Sequence, residues 1–340
     1  MKIVKSELLF VLLTVAVFGT AVADTRYAGA SLQLGIGARA SALGGAGAGL
    51  YGQVNQYYYN PASLALLSRP GLSLMYAPTF GSVRDPMAQQ HYAGFCLPLP
   101  GGGTLAVNWT RFSVDEIPLF PSLSGAAFAD RLNNRDLRPD GESMGTFHNI
   151  EDVFYFSFAR NFNFLIPLGW LYVDLPVEMP IGLNFKVIRH RLHKASASGL
   201  GLDLGTMIKF SLGRLLDKKS LGELVLGYSA MDITNTPMVW DTRHEDRVRY
   251  SQRFGFSYEQ PLWNPNYSIN LHFNRYRKYE YENLLGLEFE FYGYALRLGR
   301  NENGLTAGTG LDLFKFQVDY AFVDLGFDQA HRLSCSYSFK

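Results

Sequence analysis

Apolar residues recur at every second position in tract after tract of this chain, and that period dictates which backbone conformation can use it. Leu285, Leu287, Phe289 and Phe291 alternate with Gly286, Glu288 and Glu290. Tyr267, Ile269, Leu271 and Phe273 alternate with Ser268, Asn270, His272 and Asn274, and Phe314, Phe316, Val318, Tyr320 and Phe322 with Lys315, Gln317, Asp319 and Ala321. Successive side chains of an extended strand point to opposite faces, so each tract has one greasy and one wet side; a helix would scatter the same residues around its circumference. From residue 71 onward about fourteen such strands can be laid out, at 71–80, 89–98, 103–112, 151–161, 178–190, 199–211, 222–232, 248–259, 266–277, 283–292, 293–300, 304–312, 313–322 and 331–339. The expected fold is all-β: a transmembrane outer-membrane β-barrel of antiparallel strands, with both chain ends on the periplasmic side.

Composition agrees with strands and excludes spanning helices. Hydrophobic residues make up 47% of the chain and aromatics 14%, with 18% charged and 34 glycines, yet beyond the first residues no run approaches the 18 apolar residues a membrane helix needs. A net charge of +1 gives no electrostatic reason to expect nucleic acid. The chain opens on Lys2 and Lys5, runs apolar from Leu8 to Phe18, and reaches Ala21-Val22-Ala23. That is a secretory signal peptide over residues 1–23, cut after Ala23, which sends the chain toward the outer membrane of a Gram-negative-type bacterium.

The connections should be short inside and longer outside. Outside loops are expected at 81–88, 113–150, 191–198, 233–247, 278–282, 301–303 and 323–330, with 162–177 as an inside exception whose Trp170 and Tyr172 suit a strand extension or an aromatic girdle. The loop 113–150 is the longest; its Pro118, Pro121 and Pro139, with Arg131, Arg135, Asp136, Arg138 and Asp140, suit a lid or a contact surface.

Residues 24–70 follow another pattern: Gly35-Ile36-Gly37-Ala38-Arg39-Ala40, then Gly44 to Gly49, then Tyr57 to Tyr59 before Asn60-Pro61-Ala62. Glycine lets chain segments approach closely, and Asn60 as N-cap with Pro61 as first helical residue predicts a short helix through Leu67. This is an N-terminal plug or hatch for the lumen, ahead of a barrel over 71–340; Arg39, Asn60, Pro61 and Ala62 are its candidates for touching a ligand or fixing the plug. A phosphate-cradling glycine loop is a poor fit, because no strand precedes these glycines within a βαβ unit.

Charges inside strands, Lys186, Asp203, Glu288, Glu290, Arg297 and Asp319 with His272, should face the lumen, since Arg or Lys on the lipid side near the midplane costs about 2–4 kcal/mol. They serve either as a selectivity lining or, the plainer reading, as ion pairs that fill the pore and hold the plug. His190 and His193 stand among Arg189, Arg191 and Lys194, a cationic setting that opposes metal binding and suits acidic surface sugars. His272 between Asn270 and Asn274 has ingredients of an outer-membrane phospholipase, but no serine with an oriented base can be picked out, so no enzyme, cofactor or metal site is expected. Cys96 and Cys335 fall on opposite faces of their strands and should be free thiols.

Gly29-Ala30-Ser31 through Leu43-Gly44-Gly45, with Tyr59-Asn60-Pro61-Ala62, resembles the opening of the PorV/PorQ-type family. The end resembles it too, from Gly308-Thr309-Gly310-Leu311 through Val318-Asp319-Tyr320-Ala321-Phe322 to His331-Arg332-Leu333-Ser334. Those proteins are barrels related to the FadL fatty acid transporters. The resemblance implies fourteen strands with an N-terminal segment in the pore, and a role in type IX secretion through translocon partners or secreted cargo. FadL relatives instead pass hydrophobic solutes such as long-chain fatty acids. The partners implied are outer-membrane lipid, then secretion proteins or a hydrophobic ligand. A plug-lined apolar pocket with a gap in the wall near Asn60 would favour transport; a sealed lumen with an exposed apolar outside groove would favour cargo binding.

Overall fold

The structure, a computed structural model, describes residues 28–120, 143–169 and 173–339. Its strands are β1 (Gly71–Gly81), β2 (Pro86–Pro98), β3 (Gly103–Pro118), β4 (Thr146–Leu168), β5 (Val173–Leu192), β6 (Ala195–Ser211), β7 (Glu223–Met231), β8 (Pro237–Trp240), β9 (Glu245–Arg247), β10 (Ser251–Pro261), β11 (Tyr267–Arg277), β12 (Tyr281–Phe291), β13 (Tyr294–Arg300), β14 (Leu305–Leu313), β15 (Phe316–Asp324) and β16 (Gln329–Ser338). Each wall strand pairs antiparallel with its neighbours, β1 with β16 at one seam and β5 with β6 at the other, so the sheet closes on itself as fourteen staves, β1–β7 and β10–β16. Closure matters because a sheet edge inside hydrocarbon would leave backbone N–H and C=O groups without partners. The two additional strands, β8 and β9, form a hairpin on the outside end of β6, where Ala197 faces Trp240.

Alternation becomes a sorting of side chains. In β13, Leu296 and Leu298 are 54% and 62% exposed on the outer face while Arg297 between them is 2% exposed on the inner one. The same outward series continues through Leu285 and Leu287, Phe254, Leu200 and Leu204, Phe156 and Phe158, and Leu72 and Leu74, all exposed in the isolated chain. A ring of unpaired apolar residues around a closed barrel is stable only against lipid, and strands of this kind span outer membranes. Among the described residues no helix is long and apolar enough to cross a membrane.

All fourteen expected strands are present, several of them longer than their hydropathy suggested. The stretch 162–177 is a strand extension: β4 and β5 stay paired down to Leu168 opposite Val173. The outside segment 191–198 is strand almost throughout, with His193 and Lys194 alone making the turn, His193 at φ 53°. Loop lengths separate the two rims less cleanly than expected, since the inside turns at 212–222 and 262–266 exceed the outside turns at 82–85 and 278–280. The expected signal peptide, Pro121, Pro139, Arg131, Arg135, Asp136, Arg138, Asp140, Trp170 and Tyr172 lie outside the described residues.

Residues 28–70 lie inside the barrel as a chain of short turns: 3-10 helices Ala30–Gln33, Val54–Tyr58 and Pro61–Leu66, and the α-helix Ala38–Ala42. Ala38–Ala42 packs on β13 to β16, Val54–Tyr58 on β1 and β2, and Pro61–Leu66 on β3 to β6. The small residues permit this: Ala38, Ala40 and Ala42 are fully buried, and at Gly44, φ 68°, a Cβ would come within 2.5 Å of the Arg300 carbonyl. Only glycine combines that approach with a left-handed backbone.

Candidate functional site

Asn60, Pro61 and Ala62 fix the inner segment to the wall. The Asn60 carboxamide accepts from Ala62 N–H at 3.1 Å, the cap expected of an Asn before a helical Pro. Its Nδ2 donates to the carbonyls of Ala48 at 2.9 Å, Thr206 at 3.1 Å and Tyr228 at 3.3 Å, the last two belonging to β6 and β7. Pro61 reaches the backbone because Gly182 and Gly205 face it; a Cβ on Gly182 would sit 2.4 Å from the Pro61 carbonyl. The Asn-Pro-Ala turn therefore ties the plug to β6 and β7, beside a break in the β5–β6 ladder where Met179 and Pro180 have no ladder partner on β6.

Arg39, from the helix Ala38–Ala42, holds the segment on its opposite side. Its Nε and Nη2 donate to the two oxygens of Glu288 at 3.0 and 2.7 Å, and Arg297 Nε donates to the same carboxylate at 2.6 Å. Arg297 Nη1 continues to Asp319 at 2.7 Å, and Gln53 Nε2 donates to the other Asp319 oxygen at 2.8 Å. Burial would pull the Arg39 guanidinium down, but Glu288 beside it outweighs burial and holds it above its usual range. Glu290 sits apart at 3.7 Å from Arg39 with its side chain 41% exposed. A second cluster joins Lys186 Nζ to Asp203 and Asp232, each at 2.8 Å, with Thr236 donating to Asp232 at 2.7 Å. Burial raises the Asp232 carboxyl above its ordinary value although Lys186 pulls it back. Of the strand residues anticipated for the lumen, Lys186, Asp203, His272, Glu288, Arg297 and Asp319 are buried and Glu290 is partly exposed. Buried charges matched this closely in pairs cannot present a selective field; they hold elements together.

His272 finds the serine that sequence could not supply: its Nδ1 lies 2.8 Å from Ser257 Oγ, and its Nε2 lies 3.7 Å from Glu288. The trio does not make a hydrolase. Glu288 is already neutralised by two guanidinium groups, and Gly49 packs against Ser257, where a Cβ would stand 3.0 Å from its hydroxyl. Among the described residues no group of three or more His, Cys, Asp or Glu is placed to hold a metal ion. His190 Nε2 meets Asn149 at 2.7 Å, and both cysteines are free, Cys96 buried.

The open space lies above and below the inner segment. Facing outside is a vestibule of about 460 Å³, floored by Leu34, Gly35 and Gly44 and walled by Leu284, Val323 and Leu325 beneath the rings of Phe80 and Phe327, with the carboxylates of Glu282 and Glu302 also in its lining. Those two rings stack with centroids 5.4 Å apart. Arg253 of β10 lines it and was not anticipated from sequence. It is 8% exposed, its Nε and Nη1 meet no hydrogen-bond acceptor, and its guanidinium lies 4.8, 5.1 and 5.7 Å from the rings of Tyr276, Tyr59 and Tyr58. Burial pushes the Tyr58 hydroxyl above its usual range, and that hydroxyl donates to the Leu32 carbonyl. Arg332, the other cation here, is engaged with Gly35 O and Ser41 Oγ, both at 2.9 Å, and with Leu34 O. Facing the periplasm are cavities of about 380 and 210 Å³, edged by Glu259, Glu290 and Asp312.

No protein-family description matches this chain. No curated protein sequence matches it either. Among solved structures it resembles the Pseudomonas putida toluene transporter TodX, at 11% identity and TM-score 0.49, over 89% of this chain and 98% of TodX. It also resembles the KdgM porin, at 7% identity and TM-score 0.35, over 79% of this chain and 99% of the porin. A third is CdiB from Acinetobacter baumannii, at 10% identity and TM-score 0.38, over 80% of this chain and 60% of CdiB. All three are likenesses of architecture.

Proposed function

We propose that this outer-membrane barrel is a FadL-like channel for hydrophobic small molecules, captured with its N-terminal segment closed as a plug. The observation that supports this most is the outward vestibule: a mixed lining with Leu284, Val323 and Leu325 on one side, a floor made by the plug, and a buried cation, Arg253, with two unmet donors. Its size lies in the range of small-molecule sites. A solute with an apolar body and an acidic head satisfies both halves, the body against Leu284, Val323 and Leu325 and the head at Arg253. Passage onward requires the plug to shift, because its Asn60 turn is bonded to β6 and β7. Dodecanoate and dodecanol distinguish the parts: calorimetry on the purified barrel should show saturable binding of dodecanoate, weakened about 10- to 100-fold in Arg253→Met, with dodecanol little affected. No saturable binding of either, or equal binding to the variant, would sink this function.

The secretion role that the resemblance implies, with type IX translocon proteins or cargo as partners, has one observation of its own. Phe162, Phe164, Leu165 and Ile166 are exposed on the part of β4 that extends beyond the start of β3. There β4 has β5 as its neighbour and, among the described residues, no strand on its other side.

A further inference from the structure

We propose that the periplasmic extension of β4 is a strand-addition site, which takes an extended segment of a partner polypeptide along its free edge. The inference rests on the partner-binding reading and names its contact surface. β3 begins at Gly103, opposite Arg160, and among the described residues 162–168 of β4 pair only with β5. Arg160 lies on the lipid-side face with its guanidinium 5.5 Å from the Phe162 ring, and a cation beside an aromatic at a strand's end marks the headgroup level. Residues 162–168 continue below it. At about 3.3 Å per residue and a tilt near 40°, they reach roughly 18 Å past the rim, into water.

That edge is long, open and apolar. Phe162, Phe164 and Ile166 are 38%, 47% and 45% exposed on one face, and Leu165 is 69% exposed on the other. Proteins ordinarily blunt such edges with charge, proline, bulges or cover; among the described residues 162–166 carry none of these, and Pro167 closes the edge at its far end by removing a donor. An incoming strand would take the place of a longer β3, running antiparallel to β4. It would carry apolar residues at alternate positions to cover Phe162, Phe164 and Ile166. A second copy of this chain does not fit the edge. Copies in one membrane are related about the membrane normal, so their β4 strands would cross at roughly twice the tilt instead of pairing.

The test places p-benzoylphenylalanine in turn at Asn163, Phe164, Leu165 and Ile166 of the full chain in its own outer membrane, with adducts mapped by mass spectrometry. The expected result is attachment to one partner chain, the attachment point stepping back by about one residue for each step forward along β4. The double change Phe164→Lys and Ile166→Lys should cut the Leu165 adduct at least tenfold, while the barrel keeps its heat-modifiable gel mobility. Adducts only to lipid or to a second copy, adducts without register, no adduct, or an adduct undiminished by the lysines would overturn the proposal. Dodecanoate binding by the lysine variant separates it from the channel reading: that binding should be unchanged.

Discussion

Replacing Glu288 by Gln tests whether the buried charges lock the plug. The carboxylate is wholly buried and accepts four charge-assisted or polar bonds, from Arg39 Nε at 3.0 Å and Nη2 at 2.7 Å, Arg297 Nε at 2.6 Å and Asn270 Nδ2 at 3.3 Å. Gln preserves the shape but removes the charge and turns a donor toward a guanidinium. Arg297 keeps Asp319 at 2.7 Å, so the group left without compensation is Arg39, whose side chain is only 14% exposed and whose other carboxylate stands 3.7 Å away in partial solvent. Removing one partner of a buried pair costs about 3–5 kcal/mol, which favours release of the plug by roughly a hundred- to several-thousand-fold. Glu290→Gln, at a 41% exposed side chain, should cost no more than about 1 kcal/mol. Replacing both members, Arg39→Met with Glu288→Met, should recover much of the loss, because an apolar pair needs no desolvation of charge. The assay is protease accessibility of residues 28–70 in the folded barrel, alongside single-channel conductance. Equal effects of the two glutamine changes, or a cost below about 1 kcal/mol at Glu288, would refute the argument.

Other perturbations probe separate contacts. Gly227→Ala would place a Cβ 1.9 Å from the Ala48 carbonyl, so the plug should lift from β7 and conductance should rise above that of the parent barrel; an unchanged, silent channel would contradict the packing. Asp232 has its carboxyl raised by burial above the ordinary 3.8, so the folded state binds that proton more tightly. Its contribution is complete below the ordinary value and is lost as pH rises through the folded one. Urea midpoints measured upward from about pH 4 should therefore fall more in the parent than in Asp232→Asn. Cys96 is 1% exposed and Cys335 partly exposed on the lipid-side face, so a membrane-permeant maleimide should label Cys335 first, and reduction should leave gel mobility unchanged.

Much of this protein is written in a two-residue period, which is a local property: whichever strand Leu296, Arg297 and Leu298 join, their side chains point out, in and out. The wall, its greasy outside, the inward charges and the Asn60 cap could be read for that reason, without knowing any neighbour. Pairing could not be read, because it depends on register and closure. Only the folded barrel brings Arg39 to Glu288, 249 positions away, and places Ser257 beside His272. It also leaves Arg253 opposite Tyr276 and Ser229, with Glu282 one strand further on. The same holds for the β4 extension, whose apolar residues have the spacing of a lipid face. What sets them apart is that β3 stops at Gly103, so a pattern that means membrane elsewhere means an open edge there.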